Sequence, residues 1–284
     1  MPEETIEKVA SVIAYIEAHL TENLNLDHVA AAVHYSKYHL HRQFTRTVGM
    51  TIHDYIWRRK LTEAAKQLVF SPMPVLDIAL LAGYESQQAF TDAFTAVYKM
   101  PPHTFRQKAE YYPLLLRWDF EDKSRPSGTN AELEAIAFAE EADIPCWMEL
   151  TRMVIDGFPH LRESAYLKAL RRHIHARQAL ILKDGETAVG AALFSRQTGS
   201  IEFMGCHPLY RNRGVSRALL GRILRELPAG REVSTTTFRE GDRADTGYRE
   251  ELERLGFVPA EPLVEYGYPT QRFILRRGDD DAQG

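Results

Sequence analysis

Residues 36–44 read Ser-Lys-Tyr-His-Leu-His-Arg-Gln-Phe, and residues 86–94 read Ser-Gln-Gln-Ala-Phe-Thr-Asp-Ala-Phe. These stretches are two copies of one pattern, because six pairs of positions match at a single offset: Ser36 and Ser86, Leu40 and Phe90, Phe44 and Phe94, Met50 and Met100, His53 and His103, and Tyr55 and Phe105. A repeat of this kind indicates that one small helical unit is used twice. The spacing of its apolar residues, four apart, is typical of a helix with one buried face.

The length and composition of the chain predict two soluble domains. The chain has 284 residues, of which 44% are hydrophobic and 26% charged, and a length of this order favours more than one domain. The sequence lacks an apolar run of membrane-spanning length and the features of a signal peptide. Cys146 and Cys206 have neither a disulfide framework nor metal-ligand spacing. We therefore expect a cytoplasmic, nucleoid-associated protein without a membrane or metal partner.

The patterns along the chain predict an all-α domain followed by an α/β domain. Residues 1–112 read as two helix-turn-helix units, with a long helix over residues 53–70 and a last short helix over 106–112. Residues 113–131 are expected to form a linker, since they include a polar, turn-rich stretch. Residues 132–277 alternate between strands and helices, with a strand over 134–139 and helices over 215–227 and 243–255. The acidic residues 278–284 are expected to be disordered.

Each helical repeat presents polar side chains suited to reading DNA. A recognition helix inserts its N-terminal part into the major groove, and arginine can pair with guanine, as glutamine can with adenine, through two hydrogen bonds. The exposed side of the first copy carries Lys37, Tyr38, His41 and Arg42, and that of the second carries Gln87, Gln88 and Thr91. Residues 1–112 hold eleven Lys and Arg against twelve Asp and Glu, so the charge alone does not predict DNA binding. A helical bundle that binds protein, and a metal site at His34, His39 and His41, are the alternatives.

Residues 5–110 resemble the DNA-binding region of the AraC/XylS regulators. The resemblance rests on residues 36–44, on Gly83-Tyr-Glu-Ser-Gln-Gln-Ala-Phe and on Met100-Pro-Pro-His-Thr-Phe-Arg106. It implies a double-stranded promoter or operator as partner, with RNA polymerase as a further possible partner. It implies base contacts from Tyr38, His41, Arg42, Gln87 and Gln88, and phosphate contacts from Lys37, Thr91 and His103. Asp92 departs from the family pattern, in which relatives often carry arginine; a carboxylate there would repel phosphate or accept from cytosine.

The second half contains a strand, a basic glycine-containing loop and a helix in direct succession. Ile201-Glu-Phe-Met-Gly-Cys-His-Pro208 precedes Leu-Tyr-Arg211-Asn-Arg213-Gly214-Val-Ser216. The N-terminal amides of such a helix face outward without intrahelical partners and favour anions. The loop therefore suits a pyrophosphate.

Residues 132–277 resemble a GNAT-type acetyltransferase domain, which binds acetyl-CoA. The order of strands and helices, the loop, and Glu253-Arg-Leu-Gly-Phe257 carry the resemblance. It implies that the pyrophosphate is held by the backbone of the loop residues Arg211, Asn212, Arg213, Gly214, Val215 and Ser216. It also implies that the strand at Met204–Cys206 pairs with the pantetheine arm. Phe158-Pro-His160 and Tyr166 lie where this family builds its acceptor pocket.

Acetyl transfer to an amine requires a base for the amine and an acid for the departing thiolate. Glu202 is the candidate base, and an exposed strand carboxylate is the alternative. The family often places the acid where this chain has Leu252, and Tyr248, one turn earlier, could stand in for it. Ser216 replaces the usual small residue of the loop. These departures leave open a domain that binds acetyl-CoA without turnover.

The sequence thus supports three functional hypotheses. The first is a sequence-specific transcription regulator whose GNAT-like domain senses or acetylates a small-molecule effector. The second is an N-acetyltransferase, with an amine-bearing antibiotic or metabolite as acceptor, that regulates its own gene through the fused DNA-binding domain. The third is a protein-interaction module. Both a monomer and a homodimer remain compatible with the sequence.

Overall fold

The computed structural model describes residues 3–118, 135–154, 163–211 and 213–276. These residues form two compact units. The described part of the first unit comprises residues 3–118 and the segment Gly241–Thr246. The other described residues form the second unit. Phe158, His160, Asn212, most of the expected linker and the acidic tail lie outside the described residues.

The described residues before residue 109 form seven α-helices: α1 (Glu3–Ala18), α2 (Leu26–Ala32), α3 (Lys37–Val48), α4 (Ile52–Phe70), α5 (Val75–Leu81), α6 (Gln87–Tyr98) and α7 (Pro102–Lys108). The two helix-turn-helix units are α2–α3 and α5–α6, joined by α4, as the repeat predicts. The Oδ1 of Asn25 accepts a hydrogen bond from the backbone N–H of His28 at 2.9 Å, and Ser86 Oγ accepts one from Ala89 at 3.2 Å. These side chains satisfy amides at the beginnings of α2 and α6 that have no intrahelical partner.

The turn between the two helices of each unit uses a left-handed residue. His34 has φ 56° between α2 and α3, and Gly83 has φ 86° between α5 and α6. His34 thus occupies a position that suits glycine best, since only a few non-glycine residue types, histidine among them, adopt this region with any frequency. The expected apolar stripes are confirmed, because Leu40, Phe44, Phe90 and Phe94 are fully buried.

The C-terminal part of the first unit differs from the sequence prediction in two places. The last helix, α7, begins at Pro102 instead of Arg106, because proline is well suited to the first turn of a helix. Residues 113–118 pack into the core instead of serving as linker: Leu115 is fully buried and Trp118 is 2% exposed. Trp118 lies 5.2 Å from the ring of Tyr55, centroid to centroid. The polar residues beyond residue 120 suggested a linker over the whole stretch, although the apolar residues 114, 115 and 118 before them are buried.

The described residues of the second unit form two antiparallel sheets and four α-helices. The strands are β1 (Ala137–Phe138), β2 (Ala179–Asp184), β3 (Thr187–Phe194), β4 (Ile201–Cys206), β5 (Val233–Phe238), β6 (Val258–Glu265) and β7 (Tyr268–Leu275). The orders are β1-β2-β3-β4 and β5-β7-β6. The helices are α8 (Ile144–Val154), α9 (Glu163–His175), α10 (Val215–Glu226) and α11 (Tyr248–Arg254). All eight residues of β3 are buried, because α8, α9 and α10 all pack against this strand.

Two elements of the second unit are shorter than the sequence pattern predicts. The strand expected over residues 134–139 is reduced to Ala137–Phe138, which pairs with β2. The helix expected from Arg243 begins at Tyr248 instead. Gly247 precedes it with φ 99°, a left-handed conformation. Among the described helices, none combines the length and the apolarity that crossing a bilayer requires.

Candidate functional site

The N-terminal part of α3 presents the predicted DNA-reading side chains to solvent. Lys37, Tyr38, His41 and Arg42 are all exposed, and Tyr38 is exposed to 86%. Side chains on a helix repeat with a period of about 3.6 residues, so the burial of Leu40 leaves the opposite face of α3 exposed. The structure therefore brings four of the eight predicted contact residues onto one helix.

Lys37 is already engaged in an ion pair. Its Nζ lies 2.8 Å from Oδ2 of Asp27, the acidic residue in the first turn of α2. Both side chains are largely exposed, so the pair contributes little to stability. Contact with a phosphate would require Lys37 to exchange this carboxylate for the phosphate oxygen.

The beginning of α6 presents neutral hydrogen-bonding groups. Gln87 and Gln88 are exposed, and Gln88 Nε2 donates to Asp92 Oδ1 at 2.9 Å. Thr91 Oγ1 donates to the carbonyl of Gln87 at 2.8 Å, which leaves its oxygen able to accept. Asp92, the departure from the family pattern, thus holds the amide of Gln88 in one orientation. His103, the predicted phosphate contact outside the two recognition helices, is exposed on α7.

The second candidate site begins where β4 and β5 separate. Ser200 and Ser234 form a parallel bridge, and Thr235 Oγ1 donates to the carbonyl of Ile201 at 3.0 Å. Beyond this point the two strands belong to different sheets. Among the described residues, the edge of β4 that faces β5 therefore has no ladder partner over Met204–Cys206. An exposed strand edge can pair with an extended chain, which is what a pantetheine arm with its amides offers.

The gap that opens between β4 and β5 is called the cleft below. The predicted anion loop, residues 211–216, lies beside it. Gly214 has φ 80° and immediately precedes α10, so the helix amides begin directly after a residue without Cβ. The guanidinium of Arg213 lies 4.7 Å from the ring centroid of Tyr210. Both of its terminal nitrogens are buried and lack a hydrogen-bond partner among the described residues. A buried cationic fork of this kind is satisfied by phosphate oxygens, so the residues present fit the pyrophosphate of CoA.

A cavity of about 20 Å³ lies at the open end of the cleft. It is lined by four of the predicted cofactor residues together with the candidate acid and two residues of α11: Met204, Cys206, Arg211, Ser216, Tyr248, Glu251 and Leu252. Burial, aided by the charge of Glu251, raises the pKa of the Cys206 thiol to about 12. Because the thiol stays protonated near neutral pH, Cys206 is an apolar wall of the cavity and not a nucleophile.

The candidate acid and base lie in different surroundings. Tyr248 lines the cavity, its hydroxyl donates to the carbonyl of Val154 at 2.9 Å, and the guanidinium of Arg211 lies 5.9 Å from its ring centroid. Glu202 does not line the cavity. It is the extra residue of a bulge in β4, since Leu193 pairs with Phe203 and Phe194 with Ile201. Both catalytic roles stay predictions.

Glu202 is paired with a histidine of α9. His173 Nε2 lies 3.3 Å from Glu202 Oε2, and His173 Nδ1 lies 2.9 Å from the carbonyl of Ala169. An Nδ1–H that donates to this carbonyl would leave Nε2 as the acceptor in the neutral ring. The His173 side chain is 13% exposed and that of Glu202 is 47% exposed. The pair therefore lies at the edge of solvent, with the carboxylate as its more exposed member.

Comparison with known proteins assigns each unit to a family. The sequence model described as "Helix-turn-helix domain" matches residues 29–108. The activator AarP of Providencia stuartii is 39% identical over 108 residues, which cover 38% of this chain and 80% of AarP. The multiple antibiotic resistance protein MarA of Salmonella typhimurium is 39% identical over 98 residues, 34% of this chain and 77% of MarA. The chain belongs to the AraC family of transcription regulators. The sequence model "Acetyltransferase (GNAT) family" matches residues 147–257, so this AraC-family chain also carries a GNAT domain.

The match to longer relatives spans only part of their length. The regulator YbfP of Bacillus subtilis is 40% identical over 98 residues, which span only a third of YbfP (33%). A GNAT-family acetyltransferase from Bacillus cereus has a solved structure that covers 50% of this chain and 96% of its own, with 14% identity and a TM-score of 0.40.

Sequence reasoning missed several residues of the GNAT domain that the structure brings to the site. Glu251 lines the cavity one turn after Tyr248, and this i,i+3 spacing was the available signal. Gly190 in β3 leaves room for α10, because a Cβ there would lie 2.4 Å from Cγ1 of Val215. Tyr166, by contrast, is a residue that the resemblance already places at the acceptor pocket, and it accepts a hydrogen bond from Trp147 Nε1 at 3.0 Å.

Proposed function

We propose that this protein is a promoter-binding regulator whose GNAT domain binds acetyl-CoA and thereby senses or modifies a small molecule. The observation that supports DNA recognition is the polar, exposed beginning of both α3 and α6 within one AraC-type domain. The 19 residues of α4 give it a length of about 28 Å. That length is of the order of the roughly 34 Å between successive major-groove faces. One chain can then offer both helices to one face of DNA.

The proposal assigns two kinds of contact to the AraC-type domain. Arg42 and Gln87 have the side-chain chemistry that reads guanine and adenine through paired hydrogen bonds. Tyr38, His41 and Gln88 complete the proposed base contacts, and Lys37, Thr91 and His103 the phosphate contacts. Replacement of Arg42 or Gln87 by alanine is expected to weaken specific binding by about 1–3 kcal/mol each.

The DNA test uses a duplex that the wild-type protein selects from a random-sequence pool. Its affinity is measured by fluorescence anisotropy for wild type, Arg42→Ala and Gln87→Ala. Lys66→Ala, an exposed charge removal on α4, serves as the control and should bind like wild type. Wild-type affinity in both recognition-helix variants would refute the assignment of α3 and α6.

The observation that supports acetyl-CoA as ligand is the buried Arg213 fork beside the beginning of α10. In this proposal the backbone of residues 211–216 holds the pyrophosphate, and the β4 edge at Met204 and Cys206 holds the pantetheine arm. When bound, acetyl-CoA supplies an activated thioester. Calorimetric titration of acetyl-CoA and CoA should give micromolar binding to wild type. Gly214→Asp should abolish it, because the substitution adds a Cβ at φ 80° and a negative charge where the anion binds. Gly230→Asp, a left-handed surface glycine with open space around it, is the matched control.

A second candidate function, N-acetylation of an amine, is favoured by the position of Tyr248. Tyr248 lines the cavity together with Met204 and Cys206, where a departing thiolate needs a proton, and its hydroxyl would exchange the carbonyl of Val154 for the thiolate in order to donate there. Glu202 with His173 would remove the proton of the amine, directly or through water. Thiol release is measured with a panel of amines, and Glu202→Gln should lower turnover by about a hundredfold. A variant as active as wild type would remove Glu202 from the mechanism.

A further inference from the structure

The segment Gly241–Thr246, called the strap below, belongs to the first unit although the chain enters it from β5 and leaves it into α11. Arg58, in the middle of α4, donates to three consecutive backbone carbonyls of the strap. Nη1 donates to Ala244 at 2.9 Å, and Nη2 donates to Arg243 and to Asp245, each at 2.9 Å. Arg58 is 5% exposed and Ala244 is fully buried. Hydrogen bonds from a buried charged donor are among the stronger ones in proteins.

Three further contacts fix the strap. Lys99 Nζ, at the C-terminal cap of α6, lies 2.9 Å from Asp242 Oδ1. The Asp242 side chain is 4% exposed, and the same oxygen accepts from the backbone N–H of Ala244 at 2.9 Å. The guanidinium of Arg243 lies 5.0 Å from the ring centroid of Trp57. The strap is therefore held by α4 and by the end of α6, the second recognition helix.

The other end of the strap is linked through the chain to the cleft. Only Gly247 separates Thr246 from Tyr248, the first residue of α11. Tyr248, Glu251 and Leu252 form the α11 wall of the cavity. The cavity of about 20 Å³ has room for about one water molecule, whereas a pantetheine arm is many times larger. A pantetheine arm that extends past Met204 and Cys206 into this cavity would displace the α11 wall, and Gly247, at φ 99°, is the position before α11 where the backbone can adjust.

We propose that the strap couples occupancy of the CoA cleft to the DNA-binding helices. Because the strap is joined to α11 through Gly247, displacement of α11 also displaces the strap. The contacts of Arg58 and Lys99 with the strap oppose this displacement. Ligand binding thus competes with the arrangement of α4 and α6 that these contacts stabilise, and by linkage DNA binding changes the affinity for CoA by the same factor. This inference rests on the proposed function of the cleft and adds its regulation.

The experiment is calorimetric titration of CoA into full-length wild type, Arg58→Gln and Lys99→Gln. Because both variants release the strap, each should bind CoA more tightly, by about fivefold or more for Arg58→Gln. Arg106→Gln is the matched control. Arg106 also donates to backbone carbonyls of the first unit, with Nε 3.0 Å from the carbonyl of Leu68, but it does not contact the strap. Its affinity for CoA should equal that of wild type.

Hydrogen exchange measured by mass spectrometry provides a second readout on the wild-type protein. Addition of CoA should accelerate exchange in peptides that cover residues 241–248 and leave the α1 peptides unchanged. Equal CoA affinity in wild type, Arg58→Gln and Lys99→Gln, or unchanged exchange in the strap, would overturn the coupling while leaving the cleft assignment intact. Absence of CoA binding to the wild-type protein would overturn the cleft assignment and the coupling with it.

Discussion

The buried imidazole at the end of β4 should make the GNAT domain acid-sensitive. His207 is fully buried, and its Nδ1 accepts a hydrogen bond from the backbone N–H of Leu209 at 3.2 Å. Burial, with a smaller contribution from the charge of Arg211, lowers the pKa of His207 from 6.5 to about 3. Protonation would therefore remove an acceptor and place a charge in the core, directly before the loop that carries Arg211 and Arg213.

The sign and size of the effect follow from linkage. Because the pKa in the folded state is depressed, the unfolded state binds the proton first, and the stabilisation is present above pH 6.5 and lost as the pH falls towards 3. Each pH unit well below 6.5 costs about 1.4 kcal/mol. From pH 6.5 to 5.0 the loss from His207 alone is roughly 1.6 kcal/mol.

Hydrogen exchange of the β3 amides, all of them buried, reports the free energy of unfolding of the second unit at each pH. His207→Gln removes the titration, so its stability should fall by roughly 1.6 kcal/mol less than that of wild type over this interval. His175→Gln, which removes an imidazole exposed to 73%, should follow wild type. Parallel pH curves for wild type and His207→Gln would refute the assignment of a neutral, buried imidazole.

Two further substitutions test the packing of each unit. Arg59 Nε lies 2.8 Å from Glu17 Oε1, and the two side chains are 5% and 3% exposed, so Glu17→Ala removes the buried partner of a buried charge. The free energy of unfolding should fall by about 3–5 kcal/mol. Glu63, the second partner of Arg59, is half-exposed, and Glu63→Ala should lower the free energy of unfolding by less than about 1 kcal/mol. The free energies of unfolding of the two variants are compared by hydrogen exchange of the α4 amides at increasing urea concentrations. Equal destabilisation by Glu17→Ala and Glu63→Ala would refute the buried-pair argument. Gly190→Ala places a Cβ 2.4 Å from Val215, so it should destabilise the GNAT domain by about 1–3 kcal/mol and weaken CoA binding in calorimetry, whereas the uncrowded Gly221→Ala should do neither.

The local patterns of the sequence were sufficient for most of the fold. The matched pairs Leu40 with Phe44 and Phe90 with Phe94 predicted the buried stripes of α3 and α6, because a four-residue spacing has one meaning on a helix. Signals of this kind depend on neighbours within a few residues.

The features that the sequence did not reveal depend on partners far along the chain. Residues 243–247 were predicted as the first turns of a helix, yet the carbonyls of 243–245 accept from Arg58, about 185 positions earlier. The pairing of Glu202 with His173 likewise requires the bulge that reorients residue 202. Helical periodicity contains no information about either contact, so the strap and the Glu202–His173 pair could be found only in the folded chain.

The two recognition helices differ in the charge of the side chains that we propose contact DNA. The exposed beginning of α3 carries Lys37 and Arg42, whereas that of α6 carries neutral amides and Asp92, whose carboxylate is occupied by Gln88. In the proposed complex, phosphate attraction, which dominates non-specific affinity, would therefore come mainly from α3, and α6 would add selectivity. Lys99 at the end of α6 also forms the ion pair with Asp242 of the strap. The strap therefore contacts α6, the recognition helix expected to attract DNA phosphates less strongly. Under the proposed coupling, a ligand-driven shift there would change selectivity without requiring the protein to release DNA.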